Sequence, residues 1–150
     1  YTTLFRSYED SIIQFLLFTQ CKRFAYVPKV CYEYRWYEDN FSHTQDKSKS
    51  LKTIDRYWVL LAMLEQYQSM GLPMDAGFYT MLLKHLSAYF YPTVAEMDSS
   101  IVEALFVLAC DLVKRYHPEG GCKLPYMLRV TERAMLTGNI ELWKLASRYQ

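Results

Sequence analysis

"LKTIDRYWVLLAMLEQYQSMGLP", residues 51–73, decides the fold. Leu51, Ile54, Trp58, Leu61 and Leu64 recur at steps of three and four, the spacing that stacks side chains on one face of an α-helix. Met70-Gly71-Leu72-Pro73 then stops the pattern, because glycine and proline together punctuate a helix. The same rhythm returns four times downstream. Phe78, Met81, Leu82, His85, Leu86 and Tyr89 form the next stripe, with Asp75 as a cap and Pro92 as a breaker. Asp98 caps a helix carrying Ile101, Leu105, Leu108, Leu112 and Tyr116, which His117–Gly121 ends. Pro125 opens another at its first turn. Thr137-Gly138-Asn139 ends that helix and starts the last, over 140–149. Helices joined by short loops pack as antiparallel neighbours. No fixed repeat period runs through them, which argues against a repeat solenoid.

Upstream the pattern changes. "SYEDSIIQFLLFTQ" at residues 7–20 reads as a helix capped by Ser7, with Asp10 three residues on. Ile12, Ile13, Phe15, Leu16, Leu17 and Phe18 leave it little polar face, so it is expected to be buried on more than one side. Residues 24–28 then suggest a short strand ended by Pro28. From Val30 to Tyr37 side chains alternate, with Tyr32, Tyr34 and Trp36 on one face, which predicts a second strand. A polar loop follows to about residue 50. The expected fold is therefore mainly α, a helical bundle or set of helical hairpins with a short two-stranded β element near the N-terminus. A boundary is expected between residues 1–47 and the all-helical 48–150.

Composition narrows the function classes. At 150 residues and 51% hydrophobic, the chain can bury a sizeable core. Seventeen basic and sixteen acidic residues give a net charge of +1, without the basic excess that marks a nucleic-acid partner. Cys21, Cys31, Cys110 and Cys122 form no C-x-x-C pair and read as reduced thiols packing as small hydrophobes. No apolar run reaches the ~18 residues needed to span a bilayer. No P-loop, G-x-G-x-x-G, G-x-S-x-G or H-E-x-x-H motif occurs.

One ordered set of residues carries chemistry. Glu9-Asp10 opens the first helix; Arg23-Phe24-Ala25-Tyr26-Val27-Pro28 follows; then come Tyr32-Glu33-Tyr34-Arg35 and Ser42-His43-Thr44. Together, over residues 5–45, these resemble the end of the catalytic domain of family 2 glycosyltransferases, enzymes of the GT-A fold. Residues 50–150 look like the helical extension that such enzymes carry after that domain. The resemblance implies a nucleotide-sugar donor, a glycan or lipid-linked acceptor, and inverting transfer in cell-surface polysaccharide synthesis. It implies work in the cytoplasm or at the inner face of the membrane, with peripheral membrane association. Asp10 maps onto the base that takes the acceptor hydroxyl's proton, and Glu9 onto its supporting neighbour. A sugar hydroxyl is a poor nucleophile until its proton has somewhere to go, and a helix N-terminus keeps such a carboxylate ionised. Arg35 and His43 map onto side chains near the donor diphosphate, where an arginine fork suits phosphate. His43 also maps onto a ligand for the divalent metal, Mn or Mg.

The family's Asp-x-Asp metal motif is absent from this sequence. The resemblance therefore implies a C-terminal piece, holding the base, lacking the donor site, inactive by itself and carrying no metal. A competing reading needs no catalysis. Glu9 and Asp10 then only complement the helix dipole, worth ~0.3–1 kcal/mol each, and residues 51–150 form a helical protein-interaction module. Arg35 then pairs with Glu33 or Asp39, and His43 is a loop residue. His85 reads as a partly buried histidine and His117 as charge compensation at a helix end. Self-pairing of strand edges within 24–37 is a route to a homodimer.

Overall fold

A computed structural model describes residues 9–33, 48–88 and 98–149. Among the described residues six helices run in order: α1 (Glu9–Gln20), α2 (Ser48–Ser69), α3 (Ala76–Ala88), α4 (Ser99–Arg115), α5 (Tyr126–Thr137) and α6 (Ile140–Ser147). The mainly α reading holds. Among the described residues no helix is long and apolar enough to cross a membrane.

The helix ends are set by local chemistry. The Asp75 carboxylate accepts the Phe78 backbone N–H at 2.7 Å, and Asp98 accepts from Ser100 N–H at 2.8 Å. Each satisfies a donor that the first helical turn would otherwise leave orphaned. Pro125 sits at the N-cap of α5, where its missing N–H costs nothing. Gly138 ends α5 with φ +70°, and Asn139 immediately caps α6 by accepting the Leu142 N–H at 2.9 Å. One left-handed residue followed by one capping residue turns the chain between two helices.

α5 is the hub, packing on α3, α4 and α6, while α2 packs on α1 and α4. Leu64, Leu82, Leu83, Leu86, Leu105, Leu112, Met135 and Trp143 are fully buried between them. Truncating one such leucine to alanine costs about 2–5 kcal/mol, the transfer term plus the cavity left behind.

Three expectations are corrected. First, residues 21–33 form no strand and the described residues contain none; residues 34–37 lie outside them. A strand needs a neighbour for its N–H and C=O groups. The segment's own turn, Lys29 N–H to Val27 C=O at 2.8 Å across Pro28, is a local bond, not part of a ladder. Secondly, α1 is not enclosed: Ile13, Leu17 and Phe18 are each more than half exposed, at 58%, 57% and 64%. Thirdly, the expected α2 stripe holds at Leu64, with Ile54 and Leu61 packed on the core, but not at Trp58. Tyr57, Leu60, Leu64 and Tyr67 are buried, whereas Trp58 is 49% exposed. Residues 57–64 are apolar without a break, so the buried face widens to Tyr57, Leu60 and Tyr67 while Trp58 falls at its edge.

Candidate functional site

Glu9 and Asp10 are the first two residues of α1. α1 is seated by Phe15 and by Gln20, whose Nε2 lies 2.8 Å from Met70 Sδ. Phe15 lies 6.1 Å from the Tyr67 ring of α2 and 5.7 Å from the Phe78 ring of α3, and those two stack on each other at 3.9 Å. Beyond α1 the apolar surface continues. Phe18 meets Phe24 at 5.1 Å, and Tyr26, Val27, Val30 and Tyr32 are all exposed. Arg35 and His43 lie outside the described residues, as do Tyr34 and Trp36. Of the residues singled out for catalysis and donor binding, only Glu9 and Asp10 lie among the described residues, as neighbours in α1.

A second polar cluster was missed by sequence reasoning. Tyr79 on α3 is fully buried, and its hydroxyl donates to Glu132 Oε1 on α5 at 2.9 Å. His117 Nε2, from the turn after α4, lies 3.3 Å from the same oxygen, and its ring stands edge-on to Tyr79 at 5.5 Å. Burial, and then the Glu132 hydrogen bond, hold the Tyr79 hydroxyl far above the usual phenol range. It is a proton donor to Glu132 and not a base. Cys122 belongs to the same neighbourhood. Burial first, and Glu132 second, push its thiol up, so it stays protonated at neutral pH and is a poor nucleophile. The arrangement ties α3, α5 and the α4–α5 connection together. The signal for it lay in α5, where Glu132 is four residues after Leu128 and three before Met135, an acid on an otherwise apolar stripe.

The remaining singled-out residues resolve simply. His85 is partly buried, as expected, and burial pushes its imidazole below the usual range. His117 does more than compensate a helix end, since it shares the Glu132 carboxylate. Cys110 is buried and Cys122 half-buried, but Cys21 and Cys31 are exposed, against the expectation of packed thiols; all four are free. Among the described residues no group of three or more His, Cys, Asp or Glu side chains could hold a metal ion. His43, the metal ligand implied by the resemblance, lies outside them.

Comparison with family models, with curated proteins and with solved structures finds no match to this chain.

Proposed function

We propose that this chain is the C-terminal part of a nucleotide-sugar-dependent, inverting glycosyltransferase of cell-surface polysaccharide synthesis, inactive by itself. The observation that carries the reading is the ordered set Glu9-Asp10, Arg23–Pro28, Tyr32–Arg35 and Ser42–Thr44. The placement of Glu9 and Asp10 in α1 supports it. So does the apolar surface of α1, which suits a helix packed beneath a further layer.

In this reading Asp10 removes the proton from the acceptor hydroxyl as that oxygen attacks the donor's anomeric carbon, and Glu9 positions it. Arg35 and His43 would bind the donor diphosphate, and His43 would help hold a divalent metal, Mn or Mg, whose charge would stabilise the leaving phosphate. The division at 47/48 separates the catalytic end from a helical extension. The acceptor is a glycan or lipid-linked saccharide, met in the cytoplasm or at the inner membrane face.

The test uses the full-length parent with a panel of nucleotide sugars, acceptor saccharides and Mn²⁺ or Mg²⁺, the product anomer being read by NMR. Transfer with inversion is expected. Absence of transfer and of donor hydrolysis across the panel contradicts the reading. The surface formed by Ile13, Leu17, Phe18 and Phe24 also favours a second reading, an interaction module in which Glu9 and Asp10 only cap α1. Replacing Leu17 and Phe18 with serine then abolishes partner capture, while Asp10→Asn leaves it unchanged.

A further inference from the structure

An open groove of about 670 Å³ runs along the outer face of α5 to the start of α6. Its size lies within the range of small-molecule sites. Tyr126, Arg129, Arg133 and Thr137 line it at successive turns of α5, and Asn139 and Leu142 close it from α6. Its lining holds two cations and no acid.

Three observations separate these arginines from ordinary surface charge. Among the described residues no carboxylate pairs with either Arg129 or Arg133. Neither lies in the last turn of α5, so neither compensates that helix end. Arg129 stands 5.8 Å from the centre of the Tyr126 ring, which is itself 69% exposed; this holds the guanidinium over a flat aromatic surface. The groove also ends at the positive pole of α6, where Asn139 caps the helix. The nearby acid of that first turn, Glu141, is engaged by Lys144 at 2.8 Å.

We propose that this groove binds a phosphate group carried on a ring compound. Arg129 and Arg133 grip the phosphate oxygens, since the guanidinium fork matches phosphate geometry. Tyr126 stacks on the ring, as aromatic side chains do on flat ligand faces. The proposal rests on the groove alone and is independent of the glycosyltransferase reading.

The ring-borne phosphate has two sources, a soluble sugar phosphate and a lipid headgroup. Glucose 1-phosphate represents the first. Phosphatidylcholine vesicles containing phosphatidylinositol phosphate, against pure phosphatidylcholine vesicles, represent the second. The full chain is titrated with each, following backbone amide shifts by NMR for the soluble probe and co-sedimentation for the vesicles. Saturable shifts confined to residues 126–142 support the site with a soluble ligand; selective sedimentation with the phosphorylated vesicles supports it with a lipid one. Arg129→Gln and Arg133→Gln each weaken binding by about tenfold or more at unchanged melting temperature, the loss expected for one charge-assisted contact. Arg129→Lys recovers only part, because it restores charge without the fork. Binding to neither probe, or binding undiminished in the double glutamine variant, overturns the proposal.

Discussion

Gly138 shows how one residue sets a turn. Its φ of +70° is open to glycine and strained for other residues, yet a Cβ there would meet nothing within 4 Å. The cost of Gly138→Ala is therefore backbone strain alone, about 1 kcal/mol, measurable as a lower denaturant midpoint with an unchanged slope. Tyr79→Phe removes the hydroxyl that Glu132 accepts while keeping the ring, and a cost of about 1–2 kcal/mol is expected. A double-mutant cycle with Glu132→Gln should show the two losses to be non-additive. His85 gives the pH dependence. Burial lowers its folded pKa below the unfolded value of 6.5, so between those two values the unfolded chain binds more protons. The stability it contributes is full above about pH 6.5 and is lost as pH falls toward the folded value. His85→Gln should flatten the melting temperature over that acid window while leaving the neutral-pH slope unchanged. At this scale the caps were legible from Asp75, Asp98, Gly138 and Asn139, because capping is local. The Tyr79–Glu132–His117 tie was not, because its members lie far apart in sequence and only the packing of α3 on α5 joins them.

Among the elements, α1 differs from the rest. Its attachment runs through Phe15 against the Tyr67–Phe78 stack, while Ile13, Leu17 and Phe18 face outward. Phe15→Ala is expected to loosen α1 and leave the α2–α6 core standing. Native-state hydrogen exchange checks this: amides of residues 12–20 should lose protection while those of α4 and α5 keep theirs. Equal loss throughout would make α1 part of the cooperative core. Periodicity found all six helices, since a 3.6-residue stripe is written in the sequence. It misplaced Trp58 on α2, because the unbroken apolar run 57–64 singles out no one stripe. It also predicted strand in residues 24–33, where alternation records fitness for a sheet and only a pairing partner makes one.

For the whole molecule, the described helices form a core centred on α5, with a polar tie inside it, an arginine groove outside it and α1 on its flank. The mainly α architecture follows from composition and stripe. The candidate catalytic end was legible only as a resemblance, because Glu9-Asp10 at a helix start fits capping and catalysis alike. What separates the two is a difference that capping cannot mimic. Asparagine keeps the shape of aspartate and gives up only the ~0.3–1 kcal/mol of attraction to the helix dipole, but it cannot accept a proton from a sugar hydroxyl. The decisive measurement is the turnover of the full-length parent carrying Asp10→Asn, beside its melting temperature and donor affinity. The account predicts a loss of about 10²–10⁴-fold in kcat, with melting and donor binding unchanged. Full turnover would contradict it and leave Asp10 as a cap on α1.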